Sequence, residues 1–76
     1  MGSNYKGDKM NKIVTLREKE IFDLLVTNYT TKEISKKLNI SEKTVRNHIS
    51  NVMQKLGVKS RSQAIIELLK MNIIKI

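Results

Sequence analysis

The 76-residue sequence predicts an all-α fold of four helices. Capping residues followed by apolar residues at helical spacing occur at four points along the chain. The chain contains no proline, so helices can run uninterrupted, and no segment has the apolar–polar alternation of a β-strand. We therefore expect one helical domain over residues 13–76, preceded by a polar, flexible arm over residues 1–12.

The first two helices are predicted to begin at capping boxes. In a capping box a threonine side chain accepts an amide hydrogen bond, and a glutamate three residues later returns one. The first box pairs Thr15 with Glu18, and the second begins at Thr30. Asn28 is expected to end the first helix, because asparagine tolerates the left-handed conformation that often follows a helix.

The third and fourth helices follow from the same kinds of signal. A tight turn at residues 39–40 leads into the third helix, which Ser41 caps and Gly57 ends. Its apolar residues recur at i, i+4, i+7 and i+11 and form one inward stripe: Val45, Ile49, Val52 and Leu56. A capping box at residues 60–63 opens the last helix, which is expected to run close to the C-terminus.

The second and third helices are about three residues apart, which is the spacing of a helix-turn-helix motif. In that motif the later helix enters the DNA major groove with its N-terminal residues at the base edges. The residues opposite the apolar stripe are therefore the predicted base contacts: Lys43, Arg46, Asn47 and Ser50. Arg46 can donate two hydrogen bonds to guanine, Asn47 can pair with adenine, and Lys43 can reach guanine or phosphate. Thr44 and His48 flank them and are predicted to contact phosphates.

The charge of the chain indicates a polyanionic partner. The formal net charge is +8, from 15 Lys/Arg against 7 Asp/Glu, which favours nucleic acid or an anionic membrane surface over a charge kept only for solubility. No apolar run approaches the ~18 residues that span a bilayer, and the N-terminus lacks a signal peptide, so we predict a cytoplasmic protein that does not enter a membrane.

Catalytic chemistry is not predicted. The sequence contains no cysteine and a single histidine, and we find no glycine-rich phosphate loop, metal-ligand spacing or nucleophile–base pair. We therefore predict a protein that is not an enzyme and that has no catalytic residues, no bound metal and no cofactor.

The last helix is predicted to be apolar on two sides. Its first side comprises Ala64, Ile65, Leu68, Leu69 and Met71, and the other comprises Ile66, Ile73 and Ile74. Because too few other helices exist to cover both sides, we predict a homodimer whose interface contains Ile66, Lys70, Ile73 and Ile74. The alternative is that the C-terminus folds back over the core or frays.

Four segments, in order, resemble the LuxR/FixJ/GerE-type helix-turn-helix family, with x for any residue: TLRExE at 15–20, TKEI at 31–34, ISEKTVRxH at 40–48 and KLGVxxRxxA at 55–64. The resemblance covers about residues 13–71. It departs from the family pattern at Asn28, where glycine is usual, and at Ser35, where alanine is common. Asparagine tolerates the same backbone as glycine, and serine is small enough for a close helix crossing, so neither departure argues against the family.

The resemblance implies specific roles. It implies base contacts at Lys43, Arg46, Asn47 and Ser50, and contacts to the phosphate backbone at Thr31, Lys32, Thr44 and His48. It also implies that Glu18 is internal and pairs with a basic or amide group, and that the last helix forms the dimer. Within the family, the stretch Glu42–Leu56 and the lack of an attached receiver or ligand-sensing domain resemble the small sporulation regulators most.

The predicted function is therefore a transcription regulator that binds pseudo-palindromic promoter sites on double-stranded DNA as a homodimer, through a recognition helix at about residues 42–56. RNA polymerase is a candidate partner. Three alternatives stay open: the excised C-terminal domain of a response regulator, a promoter-binding domain like that of a sigma factor, and a basic module that binds a membrane or a protein partner.

Overall fold

The computed structural model describes residues 13–76, and this part of the chain contains four α-helices and no strand. The helices are α1 (Leu16–Val26), α2 (Thr31–Leu38), α3 (Glu42–Leu56) and α4 (Arg61–Lys70). The prediction of an all-α, four-helix fold is confirmed. The predicted arm at residues 1–12 lies outside the described residues.

Side chains cap the starts of all four helices. At α1 the Glu18 amide donates to Thr15 Oγ1 at 3.1 Å, and the Thr15 amide donates to Glu18 Oε1 at 2.8 Å. The box at Thr30 is equally complete, and Ser41 Oγ accepts the amide of the third residue of α3 at 3.0 Å. Only half of the last predicted box forms, since Ser60 accepts the Gln63 amide but the Gln63 side chain accepts from the amide of residue 59 instead.

The predicted turns between helices depend on residues with positive φ. Asn28 has φ 72°, Asn39 has φ 58° and Gly57 has φ 68°. A Cβ atom added at Gly57 would meet nothing within 4 Å, so the constraint on this position is its backbone conformation and not lack of space. The predicted helix ends at Asn28 and Gly57 are confirmed to within a residue or two.

The C-terminus departs from the sequence prediction. Helix α4 ends at Lys70, and Asn72 takes φ 61°, which reverses the chain. The Ile73 amide then donates to the Leu68 carbonyl at 3.0 Å, and the side chains of Ile73 and Ile74 enter the core, where they are 4% and 2% exposed. The helix was expected to run close to the C-terminus but ends at Lys70, and Ile73 and Ile74 fold back over the core. The homodimer itself stays a prediction.

The central element of the domain is α3, which packs against α1, α2 and α4. Its buried residues are Val45, Ile49 and Val52, and the predicted fourth member of the stripe, Leu56, is partly buried. The other helices cover this stripe with a core that includes Ile21, Phe22, Leu25, Ile34, Ala64 and Leu68. Because one side of α3 is used entirely for packing, its opposite side faces solvent.

Candidate nucleic-acid interface

The outer face of α3 carries all four side chains predicted to contact bases. Lys43, Arg46, Asn47 and Ser50 are exposed. Lys43 and Asn47 are one turn apart, as are Arg46 and Ser50, so the four form a compact polar surface over the first half of the helix. Their exposure is confirmed, and their contact with bases stays a prediction.

Two further polar residues extend this surface. Asn51 lies one turn after Asn47, and Gln54 lies one turn after Ser50, and both are exposed. Both carry amides, which can pair with adenine. The sequence prediction missed them because it considered only the N-terminal half of the helix, although the same four-residue spacing continues to both positions. We name the six exposed residues the α3 outer face: Lys43, Arg46, Asn47, Ser50, Asn51 and Gln54.

One flank of α3 holds the predicted phosphate contacts Thr44 and His48, both of which are half-buried. The Ser41 hydroxyl donates to Thr44 Oγ1 at 2.9 Å. Because Thr44 Oγ1 accepts this bond, its own proton stays available for an acceptor such as a phosphate oxygen. Ser41 therefore both caps α3 and orients the Thr44 hydroxyl.

The N-terminus of α2 holds the other predicted phosphate contacts. Lys32 is exposed and Thr31 is half-buried. Their amides begin the helix and have no acceptor within it, because the first amides of any helix lack an intrahelical partner. The amide of Glu33 is already taken by Thr30 Oγ1 at 3.1 Å. Two backbone amides without an intrahelical acceptor and one exposed ammonium group thus lie at this end of α2.

Comparison with known proteins identifies the family. The family profile GerE, described as "Bacterial regulatory proteins, luxR family", matches residues 9–68. The chain belongs to the luxR family.

Individual relatives agree with this assignment. "Spore germination protein GerE" of Bacillus subtilis (strain 168) is 70% identical over 59 residues, which are 78% of this chain and 80% of that protein. "Transcriptional regulatory protein DegU" of Brevibacillus brevis is 44% identical over 64 residues, which are 84% of this chain but only 27% of DegU. A solved structure, "Structure of Transcription factor, GerE", superposes with a TM-score of 0.82 at 63% identity and covers 83% of this chain and 94% of its own.

The luxR-family chain is a DNA-binding transcription regulator of the helix-turn-helix type. Its relatives are transcription regulators, which are not enzymes. Over the described residues, no helix combines the length and the apolar composition that crossing a bilayer requires. The cytoplasmic location stays a prediction.

In this luxR-family domain a partly buried ion pair joins α3 to α1. Glu18 Oε1 lies 2.6 Å from Lys55 Nζ, and the Glu18 and Lys55 side chains are 4% and 37% exposed. The same oxygen accepts the Thr15 amide at 2.8 Å. The predicted internal position of Glu18 and its pairing with basic and amide groups are confirmed. The pair links the first turn of α1 to the last turn of α3 and so helps to set the angle of the recognition helix.

Charge is distributed unevenly over the domain. Residues 31–56, which include α2 and α3, carry six Lys/Arg and two Asp/Glu, whereas α1 carries two Lys/Arg and three Asp/Glu. Lys37 extends the basic side toward Tyr29, whose ring centroid lies 6.0 Å from its Nζ atom. The helix-turn-helix side is thus basic and attracts a polyanion, as do residues 57–76 with four Lys/Arg and one Asp/Glu, whereas α1 does not.

The predicted dimer interface is only partly available. Ile66 is 50% exposed and Lys70 is exposed, so both can meet a partner. Ile73 and Ile74 cannot, because this chain's own core encloses their side chains. The interface prediction is wrong for these two residues. Periodicity extended the helix through them, whereas the chain reverses at Asn72 and turns them inward.

Proposed function

We propose that the chain binds promoter DNA as a homodimer, with α3 of each copy in a major groove. The observation that carries this proposal is the exposed polar face of α3, which lies opposite a buried apolar stripe on a basic side of the molecule. An α-helix fits the major groove of B-form DNA, where each base pair has a distinct pattern of donors and acceptors. The DNA-binding domain is proposed to span residues 13–76.

Base recognition is assigned to the first half of the α3 outer face. Arg46 is proposed to donate two hydrogen bonds to guanine, Asn47 to pair with adenine, and Lys43 to contact guanine or phosphate. Ser50 can donate to or accept from any base that comes within reach. Support for these roles comes from the exposure of all four side chains at the end of α3 that lies nearest the base edges in this motif.

Phosphate contacts are assigned to residues on both sides of the outer face. Thr31 and Lys32 at the start of α2, with Thr44 and His48 on the flank of α3, are proposed to fix the register of the protein on the duplex. The free amides of α2 and the available Thr44 hydroxyl proton support this assignment. Such contacts contribute affinity for every duplex and little sequence preference.

Dimerisation is assigned to α4, through Ile66 and Lys70. Two copies related by a two-fold axis would set their α3 helices about one helical turn of DNA apart, roughly 34–36 Å, and the site would then be a pseudo-palindrome. A single copy contacts only one half-site. The half-exposed Ile66 supports this assignment, since a single copy of the domain leaves this isoleucine partly in contact with water.

The proposed biological setting follows from the relatives. Because GerE of Bacillus subtilis is named a spore germination protein and is 70% identical, we propose a role for this chain in sporulation. RNA polymerase is its proposed partner at the promoter. A second candidate is that the chain is the C-terminal domain of a response regulator. "Response regulator protein VraR" of Staphylococcus aureus (strain COL) supports this candidate, since it is 37% identical over 70 residues and the match covers 34% of that longer protein.

Arg46→Ala tests the base-reading role. The substitution is expected to cost about 1–3 kcal/mol of binding free energy on the preferred site and to relax discrimination at one base pair. The matched control is Lys32→Ala, which should weaken binding to every duplex alike. It should also reduce the slope of the logarithm of the binding constant against the logarithm of the salt concentration by about one in magnitude. Fluorescence anisotropy with preferred and single-mismatch duplexes separates the two effects. Uniform weakening by Arg46→Ala would refute its role in base recognition.

Ile66→Asp tests the dimer. Because Ile66 is half-exposed in the single chain, the variant should fold and should sediment as a monomer at concentrations where the wild type is a dimer. Leu16→Asp is the control, since Leu16 is 69% exposed on α1 and should leave the dimer intact. Analytical ultracentrifugation gives both results. An unchanged dimer in Ile66→Asp would remove this residue from the interface.

A further inference from the structure

One acidic side chain lies on the recognition helix. Glu42 is the only Asp or Glu of α3, which also carries Lys43, Arg46 and Lys55. Its Oε1 atom lies 3.5 Å from Arg46 Nη1, one turn along the helix. The Glu42 and Arg46 side chains are 43% and 56% exposed, so a duplex that meets the Arg46 guanidinium also meets this carboxylate.

The start of α3 does not need this carboxylate. Ser41 caps the helix, and the third residue of α3 is Thr44, whose amide donates to Ser41 Oγ. Glu42 is the first residue of the helix, so it does not have the position that Glu18 and Glu33 hold in their capping boxes. A negative charge in the first turn favours any helix modestly, but it also repels the phosphates that the domain must approach.

We propose that Glu42 is a specificity-determining residue, which accepts a hydrogen bond from the N4 amino group of a cytosine beside the guanine bound by Arg46. In the major groove cytosine offers a hydrogen-bond donor, to which a carboxylate is complementary. Guanine at the same position would present acceptors to the carboxylate and be rejected. On duplexes without the cytosine the carboxylate receives no hydrogen bond from a base, and its charge near the phosphates weakens binding. The inference rests on the proposed function, since it requires α3 in the major groove.

The test uses Glu42→Gln and Glu42→Ala, with Glu20→Gln as the matched control. Glu20→Gln makes the same change in net charge, but Glu20 lies on α1, where it pairs with Arg17 at 3.4 Å. Binding sites are selected from random duplexes with each protein, and affinity for an unselected duplex pool is measured in parallel. Circular dichroism melts verify that every variant is folded.

Both Glu42 variants are expected to lose the preference for cytosine at one position and to bind the unselected pool more tightly, by roughly three- to tenfold at low salt. Glutamine should shift that position toward adenine, whereas alanine should leave it without preference. Glu20→Gln should keep the wild-type site. If the Glu42 variants select the wild-type site and bind the pool as Glu20→Gln does, the inference is wrong and the proposed function stands. If the wild type selects no sequence, both are wrong.

Discussion

Ile74→Asp is expected to unfold the domain. Ile74 is 2% exposed and packs in the core beside Ile73. Truncation of a buried isoleucine costs about 2–5 kcal/mol, and a buried, unpaired carboxylate adds a further penalty of several kcal/mol. A hydrophobic core of this size supplies only about 3–5 kcal/mol of net stability. The destabilisation by Ile74→Asp therefore exceeds the free energy of unfolding of the domain.

Circular dichroism and thermal melts measure this effect, with Ile76→Asp as the control. Ile76 is 97% exposed, so its substitution should change the free energy of unfolding by no more than about 0.5 kcal/mol. The two substituted residues lie two positions apart in the sequence, and both substitutions replace isoleucine by aspartate. A folded Ile74→Asp protein that has only lost its dimer would mean that the C-terminal segment lies at an interface and not in the core.

Lys55→Met has the second largest expected effect. Removing Lys55 leaves the Glu18 carboxylate, which is 4% exposed, without its cationic partner and with only the Thr15 amide as a donor. Loss of one partner from a buried ion pair costs about 3–5 kcal/mol. Because Lys55 is itself 37% exposed and water can reach its position, we expect a smaller loss, about 2–3 kcal/mol.

Chemical denaturation of Lys55→Met should therefore show a lower midpoint than that of Lys59→Met, since Lys59 is exposed and its substitution removes the same charge. Adding Glu18→Gln to Lys55→Met should recover part of the loss, because an amide is cheaper to bury than an unpaired carboxylate. Equal midpoints for the two lysine variants would show that the Glu18–Lys55 pair contributes nothing to the stability of the domain.

The local features of the fold were predictable from the sequence. Helix starts at Thr15, Thr30 and Ser41 depend on hydrogen bonds across three residues, and the ends at Asn28 and Gly57 depend on the φ range of single residues. Such features depend on neighbouring side chains and little on the rest of the chain. A pattern of short-range spacing therefore contains enough information to predict them.

The non-local features were not predictable in this way. Whether the apolar residues Ile73 and Ile74 are covered by the same chain or by a second copy depends on the reversal at Asn72, which periodicity does not encode. The partner of Glu18 is 37 residues away, at Lys55, and no local pattern joins the two. The identity of the partner of Glu18 becomes evident only when distant parts of the chain pack together. The reversal at Asn72 has the same local signal as the helix end at Asn28, an asparagine that tolerates the left-handed conformation, and the prediction from periodicity did not use it.

The candidate site was partly predictable from the sequence. The exposure of Lys43, Arg46 and Asn47 followed from the inward stripe, because residues opposite a buried stripe must face solvent. Asn51 and Gln54 obey the same rule, and the prediction missed them by stopping after two turns. The four-residue spacing of Glu42 and Arg46 is visible in the sequence, but the ion pair between their side chains becomes evident only in the folded helix.

Amide NMR spectra of nitrogen-labelled protein, recorded with and without a selected duplex, locate the DNA-contacting surface residue by residue. We predict the largest shifts at Lys43, Asn47 and Ser50, smaller ones at Thr31 and Lys32, and almost none on the outer face of α1, represented by the exposed Glu20. Shifts concentrated on α1 or α4, with the outer face of α3 unchanged at saturating duplex, would contradict recognition of DNA by this helix.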